Sequence, residues 1–394
     1  MNKTNKKTGH TIGILDPADY TNDALYGGST GYIKSILPYM TSQKVLIIGQ
    51  GINGTTPWKH VFLSDNSTFI PIADFKFPSK IPLRLKALFA YTRYMKKIMN
   101  LGCDVLYVHS PEICLPFLLF NKKIPVVYHQ HGFSNALHSS KYSYGEAKIF
   151  RKFFDMALWL IHKKAGWIIA IDQIGLQQAA ANGAKNKTSL LLNAVDTHKF
   201  KPNQKARIDL RKRFGLPDNV FSIFNAGRIE KQKGLHRLIE CIPKLQSKGL
   251  RFHIFIAGEG TYKDKLLDHV RFYQAETAVT FLGKVSHEDL PDYYNMSDVF
   301  VLPSEKEGVP MAILESLACG TPVVANSIGG IPDFLRNGEN GKLLEDLSIE
   351  CIASTIINVL LSNYDRHKVA KTVKSLGSAN AISFLNTIIA HIKL

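Results

Sequence analysis

At 394 residues the chain is too long for one ordinary core and fits two domains of roughly 200 residues each. Its 45% hydrophobic content is that of a soluble globular protein, and no apolar run reaches the ~18 residues that argue for a spanning helix. The net charge of +17 is uneven: residues 1–190 carry 23 Lys and Arg against 10 Asp and Glu, whereas residues 191–394 carry 26 against 22. A basic half beside a nearly neutral one points to an anionic surface or acceptor, without choosing among membrane, nucleic acid and acidic glycan.

The stretch from Met1 to His10 is polar and lysine-bearing and leads directly into Thr11-Ile12-Gly13-Ile14-Leu15, the first predicted strand. No apolar signal core intervenes, so a cytoplasmic location is expected. Strands are then predicted at Val45–Ile48, Val105–His109, Pro125–His129, Trp167–Ile171 and Ser189–Leu192, with helices at Leu83–Met99 and Ala147–Lys164. The first helix places Leu85, Leu88, Phe89, Thr92 and Met95 on one face and Arg93, Lys96 and Lys97 largely off it. That face either packs on the sheet or lies on an anionic bilayer, and the second helix, with Phe150, Phe153, Phe154 and Trp159 before His162-Lys163-Lys164, invites the same two readings.

A polar, proline-punctuated break near Asn193–Asp196 separates the halves. The expected division is an N-terminal domain over 1–195, a C-terminal domain over 196–380, and a closing helix over 381–394 that packs back towards the N-terminal domain. The second half offers strands at Phe221–Ala226, His253–Ala257, Val279–Leu282, Val299–Leu302 and Pro322–Ala325. Strands alternating with helices in both halves predict an α/β protein of two Rossmann-like, doubly wound domains facing across a cleft. Ligands of such sheets bind beyond the carboxyl ends of the strands. Cys103, Cys114, Cys241, Cys319 and Cys351 are scattered, without metal or disulfide spacing, and read as reduced thiols.

The densest chemistry follows the strand Val299–Leu302. Glu307-Gly308-Val309-Pro310 is a turn that opens a helix carrying Glu315. Pro310 suits the first helical position, and Val309 has no side-chain oxygen to cap the helix, which leaves its first N–H groups available to a phosphate. On that helix Glu315 is placed to accept from a pair of hydroxyls, and Glu307 in the loop is free to meet another polar group. Phosphate, diol and a further polar moiety together suggest a sugar nucleotide. Gly227-Arg228 and Lys233-Gly234 follow the strand Phe221–Ala226; Arg228 and Lys233 are either a solvated basic loop or a pair for a diphosphate. Gly258-Glu259-Gly260 and Gly283-Lys284-Val285 end the next two strands, as plain turns or as main chain that reads a nucleobase edge.

In this order and spacing, with Pro303-Ser304, Gly320-Thr321-Pro322 and Gly329-Gly330-Ile331-Pro332-Asp333, these pieces make residues 190–345 resemble the donor-binding domain of retaining GT-B glycosyltransferases of family 4 (glycosyl transferases group 1). The first half resembles the family more loosely, through Gly27-Gly28, Val108-His109-Ser110 and His131-Gly132. The resemblance implies a hexosyltransferase-like enzyme that uses a nucleotide-sugar donor and neither metal nor cofactor. Arg228 and Lys233 would neutralise the diphosphate, Glu307 would contact the sugar beside the backbone of Gly308 and Val309, and Glu315 would hold the ribose. Gly258 and Val285 would lie along the donor. Gly28 would let the first-domain loop approach the phosphates, and His131 would line the sugar and acceptor side. Asp333 stands where the family usually has Glu, and Ala194 where Gly is common.

The expected acceptor is a lipid-linked or cell-surface glycan, as in polysaccharide biosynthesis, with peripheral contact at the inner face of the cell membrane left open. Two alternatives remain: a nucleotide-sugar epimerase of similar build, and a basic nucleic-acid-binding protein. The second lacks a recognisable motif and leaves the two glutamates unexplained.

Overall fold

The computed structural model describes residues 10–21, 28–76, 83–121, 123–131 and 148–392, the side chains at 83, 84, 148–151 and 153 excepted. Gly27, Gly132, the stretch before His10 and the side chains of Phe150 and Phe153 therefore lie outside the described residues. The chain forms two compact units, Met1–Leu192 with Ala379–Leu394, and Asn193–Ser378.

The first unit runs β1 (Thr11–Leu15), α1 (Gly28–Ile36), β2 (Lys44–Ile52), β3 (Val61–Ser64), β4 (Ser67–Phe75), α2 (Leu83–Met99), β5 (Val105–Val108), α3 (Pro111–Phe120), β6 (Val126–Gln130), α4 (Lys148–Lys164), β7 (Trp167–Ala170), α5 (Gln173–Ala179) and β8 (Thr188–Leu190). Its sheet has the order β3-β4-β2-β1-β5-β6-β7-β8, parallel throughout except for the β3–β4 hairpin. The strands β1, β5 and β6 are almost wholly buried, as expected where helices cover both faces.

Two strands, β3 and β4, depart from the sequence expectation. Exposed β3 shows no apolar alternation, and Pro71 interrupts β4. Pro71 is tolerated because it pairs with Gly49 where the β2–β4 register shifts, a bulge that spares a missing N–H.

Helix α2 corrects the predicted packing face. Ala87, Ala90, Tyr91 and Ile98 are buried, whereas Leu85 and Phe89 are exposed. Both sets have helical period; the Tyr91 hydroxyl decides between them by donating to the carbonyls of Asp16 and Ile48 at 3.1 and 2.7 Å.

The second unit runs α6 (Gln204–Arg213), β9 (Phe221–Ala226), α7 (Leu235–Glu240), α8 (Ile242–Ser247), β10 (Phe252–Ala257), α9 (Lys263–Phe272), β11 (Val279–Gly283), α10 (Leu290–Met296), β12 (Val299–Leu302), α11 (Met311–Ala318), β13 (Val323–Asn326), β14 (Gly341–Leu344), α12 (Ile349–Leu361) and α13 (Arg366–Thr372). The six-stranded sheet has the order β11-β10-β9-β12-β13-β14, and all its strand pairs are parallel. Asn193 and Val195 are tied into this unit: Asn193 donates to the Val309 carbonyl and Val195 pairs with Gly377. Helix α14 (Ser378–Ile392) returns almost entirely to the first unit, where His391 meets Trp167 edge-on and Gln43 donates to Asn386 at 2.6 Å. No described helix is long and apolar enough to cross a membrane.

Candidate active site

Each sheet has a point where the chain reverses its direction of strand addition, and loops there leave the sheet to opposite sides. In the second unit that point lies between β9 and β12, because β10 and β11 add on one side and β13 and β14 on the other. The loop after β9 carries Arg228 and Lys233, and the loop after β12 carries Glu307. The structure joins them: Lys233 Nζ donates to Glu307 Oε1 at 2.7 Å, with the two side chains 19% and 9% exposed. Glu307 is thus paired, which corrects the expectation that it stood free in its loop.

Close backbone approach makes this pairing. Gly234 adopts φ +71°, and a Cβ there would run into the Pro303 carbonyl. Glu305 N–H donates to the Gln232 carbonyl at 2.8 Å, and Arg237 reaches Glu305 at 2.8 Å. Behind Glu307, Gly329 at φ +57° lies against the carbonyls of Glu307 and Gly308, and Gly330 N–H donates to Gly308 at 2.9 Å. Only residues without Cβ let these chains pass so closely.

The Arg228 side chain is exposed and has no hydrogen-bond or ion-pair partner among the described residues. Its loop is stitched to its neighbours through Gly227 N–H to Ala257, Ile229 N–H to Glu259 and Gly258 N–H to Gly283, at 3.0, 2.9 and 2.7 Å. Gly258 sits at φ +133° with the Gly227 carbonyl where its Cβ would be, and Gly260 is likewise closed by Ile229. These glycines let three strand ends converge, the structural role that a glycine turn implies. Val285 follows β11, half-buried.

Helix α11 begins without a side-chain cap, as expected. Pro310, however, precedes the helix in an extended conformation (ψ 122°), and Met311 is the first helical residue. With ψ extended, Pro310 sets the entry of the chain, and its carbonyl accepts from Ile313 N–H at 3.2 Å. Buried Val309 is held through its carbonyl by Asn193 Nδ2 at 2.7 Å, and the Asn193 Oδ1 has no partner.

Glu315 is 5% exposed, and each of its oxygens already accepts one bond, from His287 Nε2 at 3.0 Å and from the Tyr294 hydroxyl at 2.9 Å. Lys199 Nζ lies 3.0 Å from His287 Nδ1, which as acceptor leaves the proton on Nε2. A carboxylate has about four acceptor positions, so about two remain for a diol. Neither His287 nor Tyr294 stands out in sequence, since only the tertiary fold brings α10 and its approach against α11.

In the first unit the reversal lies between β1 and β5. His109 follows β5, and His129 and His131 close β6. His131 Nε2 lies 2.7 Å from His109 Nδ1, and His129 Nδ1 lies 2.5 Å from the Tyr107 hydroxyl. Burial lowers the pKa of all three, His131 to about 3, and for His109 and His129 the neighbouring imidazoles add to the effect. His131 keeps a partly exposed edge, while its ring packs against His109, His129 and Tyr32. Gly28 opens α1 at the surface, where a Cβ would meet nothing within 4 Å among the described residues. Packing among the described residues therefore does not demand glycine there.

Two parallel α/β sheets with loops of this kind define the GT-B class of glycosyltransferase fold. The family profile described as "Glycosyl transferases group 1" matches residues 206–376, and that of "Glycosyltransferase Family 4" matches residues 26–199. The chain belongs to the group 1 glycosyltransferases. It is 28% identical over 190 residues to a GDP-mannose-dependent alpha-(1-6)-phosphatidylinositol monomannoside mannosyltransferase of Mycobacterium tuberculosis, covering 46% of this chain and 49% of that protein. The chain spans about half the length of the curated relatives it matches first. Among solved structures it resembles sucrose-phosphate synthase from Thermosynechococcus elongatus (TM-score 0.79, 16% identity, 96% of this chain and 98% of the other). It also resembles Anabaena HepE in complex with UDP-glucose (TM-score 0.66, 21% identity, 98% of each chain).

Proposed function

We propose that this chain is a retaining glycosyltransferase that moves a sugar from a nucleotide-sugar donor to an acceptor hydroxyl, on a lipid-linked or cell-surface glycan. The second unit serves the donor and the first the acceptor. The observation that carries this reading is the Lys233–Glu307 pair at the strand-order reversal, with the exposed Arg228 side chain and uncapped α11 in the same unit. Group 1 membership and the donor named in the mannosyltransferase relative support it.

As the glycosidic bond breaks, negative charge builds on the leaving diphosphate. Arg228 and Lys233 stabilise that charge, and the two cations supply what a metal would otherwise give. Glu307 meets the transferred sugar beside the backbone of Gly308 and Val309, and Glu315 takes the ribose hydroxyls on its remaining lone pairs. Gly258 and Val285 flank the nucleotide. Gly28 admits the phosphates, and His131 faces the sugar and acceptor. The acceptor hydroxyl attacks from the face the leaving group vacates, and the departing phosphate takes its proton.

A thermal-shift panel of nucleotide sugars tests the donor assignment. One true donor is expected to raise Tm, and Glu315→Gln is expected to reduce that rise. A flat response across UDP-, GDP-, ADP- and dTDP-sugars contradicts it. Product analysis with the donor alone separates transfer from epimerisation, since only an epimerase would return an altered sugar nucleotide.

A specific observation also favours docking to an anionic bilayer. Leu85, Phe89, Arg93 and Lys96 of α2 are all exposed, in the half of the chain that carries the excess charge. Vesicles containing anionic lipid should retain the protein at low salt and release it at high salt; equal partitioning at both contradicts docking.

A further inference from the structure

Of the residues at the first unit's strand-order reversal, His109, His129 and His131 are the one group of three metal-ligating side chains found together among the described residues. Each offers a nitrogen, and the three nitrogens lie within 4.8 Å of one another. Three neutral imidazoles are a donor set for a borderline divalent cation rather than for calcium or magnesium, which prefer oxygen.

We propose that His109, His129 and His131 form a binding site for a single divalent transition-metal cation of the Zn²⁺ type, separate from the donor machinery of the second unit.

Two features argue for a ligand beyond the clustering. The Nε2 atom of His129 is buried without a hydrogen-bond partner among the described residues. Buried polar atoms are rarely left so, and this one asks for an occupant. The second feature is the support behind the ring of His129. Its Nδ1 faces the Tyr107 hydroxyl, which in turn lies 3.3 Å from the Tyr32 hydroxyl. If Nδ1–H donates to Tyr107 and Tyr107 to Tyr32, the Nε2 lone pair of His129 is left bare and its ring direction is held. A hydrogen bond on the far nitrogen is the usual support of a ligating histidine.

Burial adds to this by keeping the rings unprotonated, so protons do not compete for the lone pairs at neutral pH. The cation takes the place of the proton now held between His109 Nδ1 and His131 Nε2, and that proton moves to the other nitrogen of its own ring, so that all three imidazoles stay neutral. Tetrahedral bonds of ~2.05 Å place ligand nitrogens roughly 3.3 Å apart, so this pair opens from its present 2.7 Å. His131, with its exposed edge, is the point of entry, and a water fills the fourth position. Because His131 is also given to the acceptor side under the proposed function, an ion here would suppress transfer reversibly. Binding itself does not depend on that reading.

The full chain, freed of any polyhistidine tag, is titrated with Zn²⁺ by calorimetry and with Co²⁺ by visible absorption. One equivalent of Zn²⁺ and a d–d band of tetrahedral intensity are expected. His131→Ala, at the partly exposed ligand, should weaken binding about 100-fold and Tyr107→Phe about tenfold, while His367→Ala, exposed in the second unit, changes nothing. Circular dichroism confirms that each variant is folded, and His131→Gln replaces any that is not. Absence of saturable binding overturns the proposal, and so does binding of full strength in folded His131 variants.

Discussion

Lys233 Nζ donates to Glu307 Oε1 at 2.7 Å across the point where the second sheet reverses its strand order. The pair is mostly buried, so each charge relies on the other more than a surface pair would. Removing either partner leaves the other charge uncompensated; removing both does not. In a double-mutant cycle with Lys233→Met and Glu307→Gln, urea denaturation should give a coupling on the order of 1–3 kcal/mol. Additive single effects would mean that the pair is not formed in solution.

Arg228 should behave differently from Lys233. Its guanidinium is exposed and has no partner among the described residues, so Arg228→Ala should change stability by less than about 0.5 kcal/mol. Its proposed role is with the donor alone. A lost charged hydrogen bond of about 1.5–3 kcal/mol corresponds to a roughly ten- to hundredfold fall in kcat/KM. Denaturation and steady-state kinetics on the same variant separate the two effects.

Gly258→Ala tests the convergence of the strand-end loops. The substitution must hold a side chain at φ +133° and move the Gly227 carbonyl away from its Cβ. A loss above about 2 kcal/mol is expected, together with weaker nucleotide binding, because the Arg228 loop shifts with Gly227. Gly28→Ala is the contrast, since its Cβ meets nothing within 4 Å among the described residues; a thermal melt should show almost no change.

The histidines predict a pH dependence of stability. In the unfolded chain each titrates near 6.5, whereas burial holds His109 and His129 neutral to well below that value in the fold. Above pH 6.5 they are neutral in both states and contribute no slope. As pH falls below it, the unfolded chain binds protons that the folded chain refuses. Stability then declines by up to about 1.4 kcal/mol per pH unit for each histidine. Tm should therefore drop between pH 7 and pH 5, and less steeply in a folded His129→Asn variant. An unchanged slope in that variant would show that His129 is not held neutral.

Most of the parallel core was legible in the sequence because its strands are continuous apolar runs between turn residues, as in Val299–Leu302 and Phe221–Ala226. Strand β4 was not, since Pro71 reads as a breaker and only the bulge opposite Gly49 admits it. Strand β14 begins on Gly341 after an Asn- and Gly-rich turn, and its close approach to Val323 is a tertiary fact. The face of α2 was misjudged because two stripes share one period, and a buried tyrosine hydrogen bond chose the less hydrophobic stripe.

The candidate site divides in the same way. Arg228, Lys233 and Glu307 were readable because they lie beside glycines at predicted strand or helix ends, and Glu315 because it lies on the helix that the Glu307 turn opens. That Lys233 and Glu307 touch, that His287 and Tyr294 hold Glu315, and that three histidines meet are contacts between segments far apart in the chain. Spacing alone carries no signal for them.

The Lys233–Glu307 corner is proposed to serve a nucleotide-sugar donor. The most direct measurement is nucleotide release with the best donor from the thermal-shift panel, with an acceptor glycan present, comparing wild type with Lys233→Ala and Glu307→Ala. The wild type should turn over, and each folded variant should be slower by roughly ten- to hundredfold. Wild-type rates in both variants would contradict it.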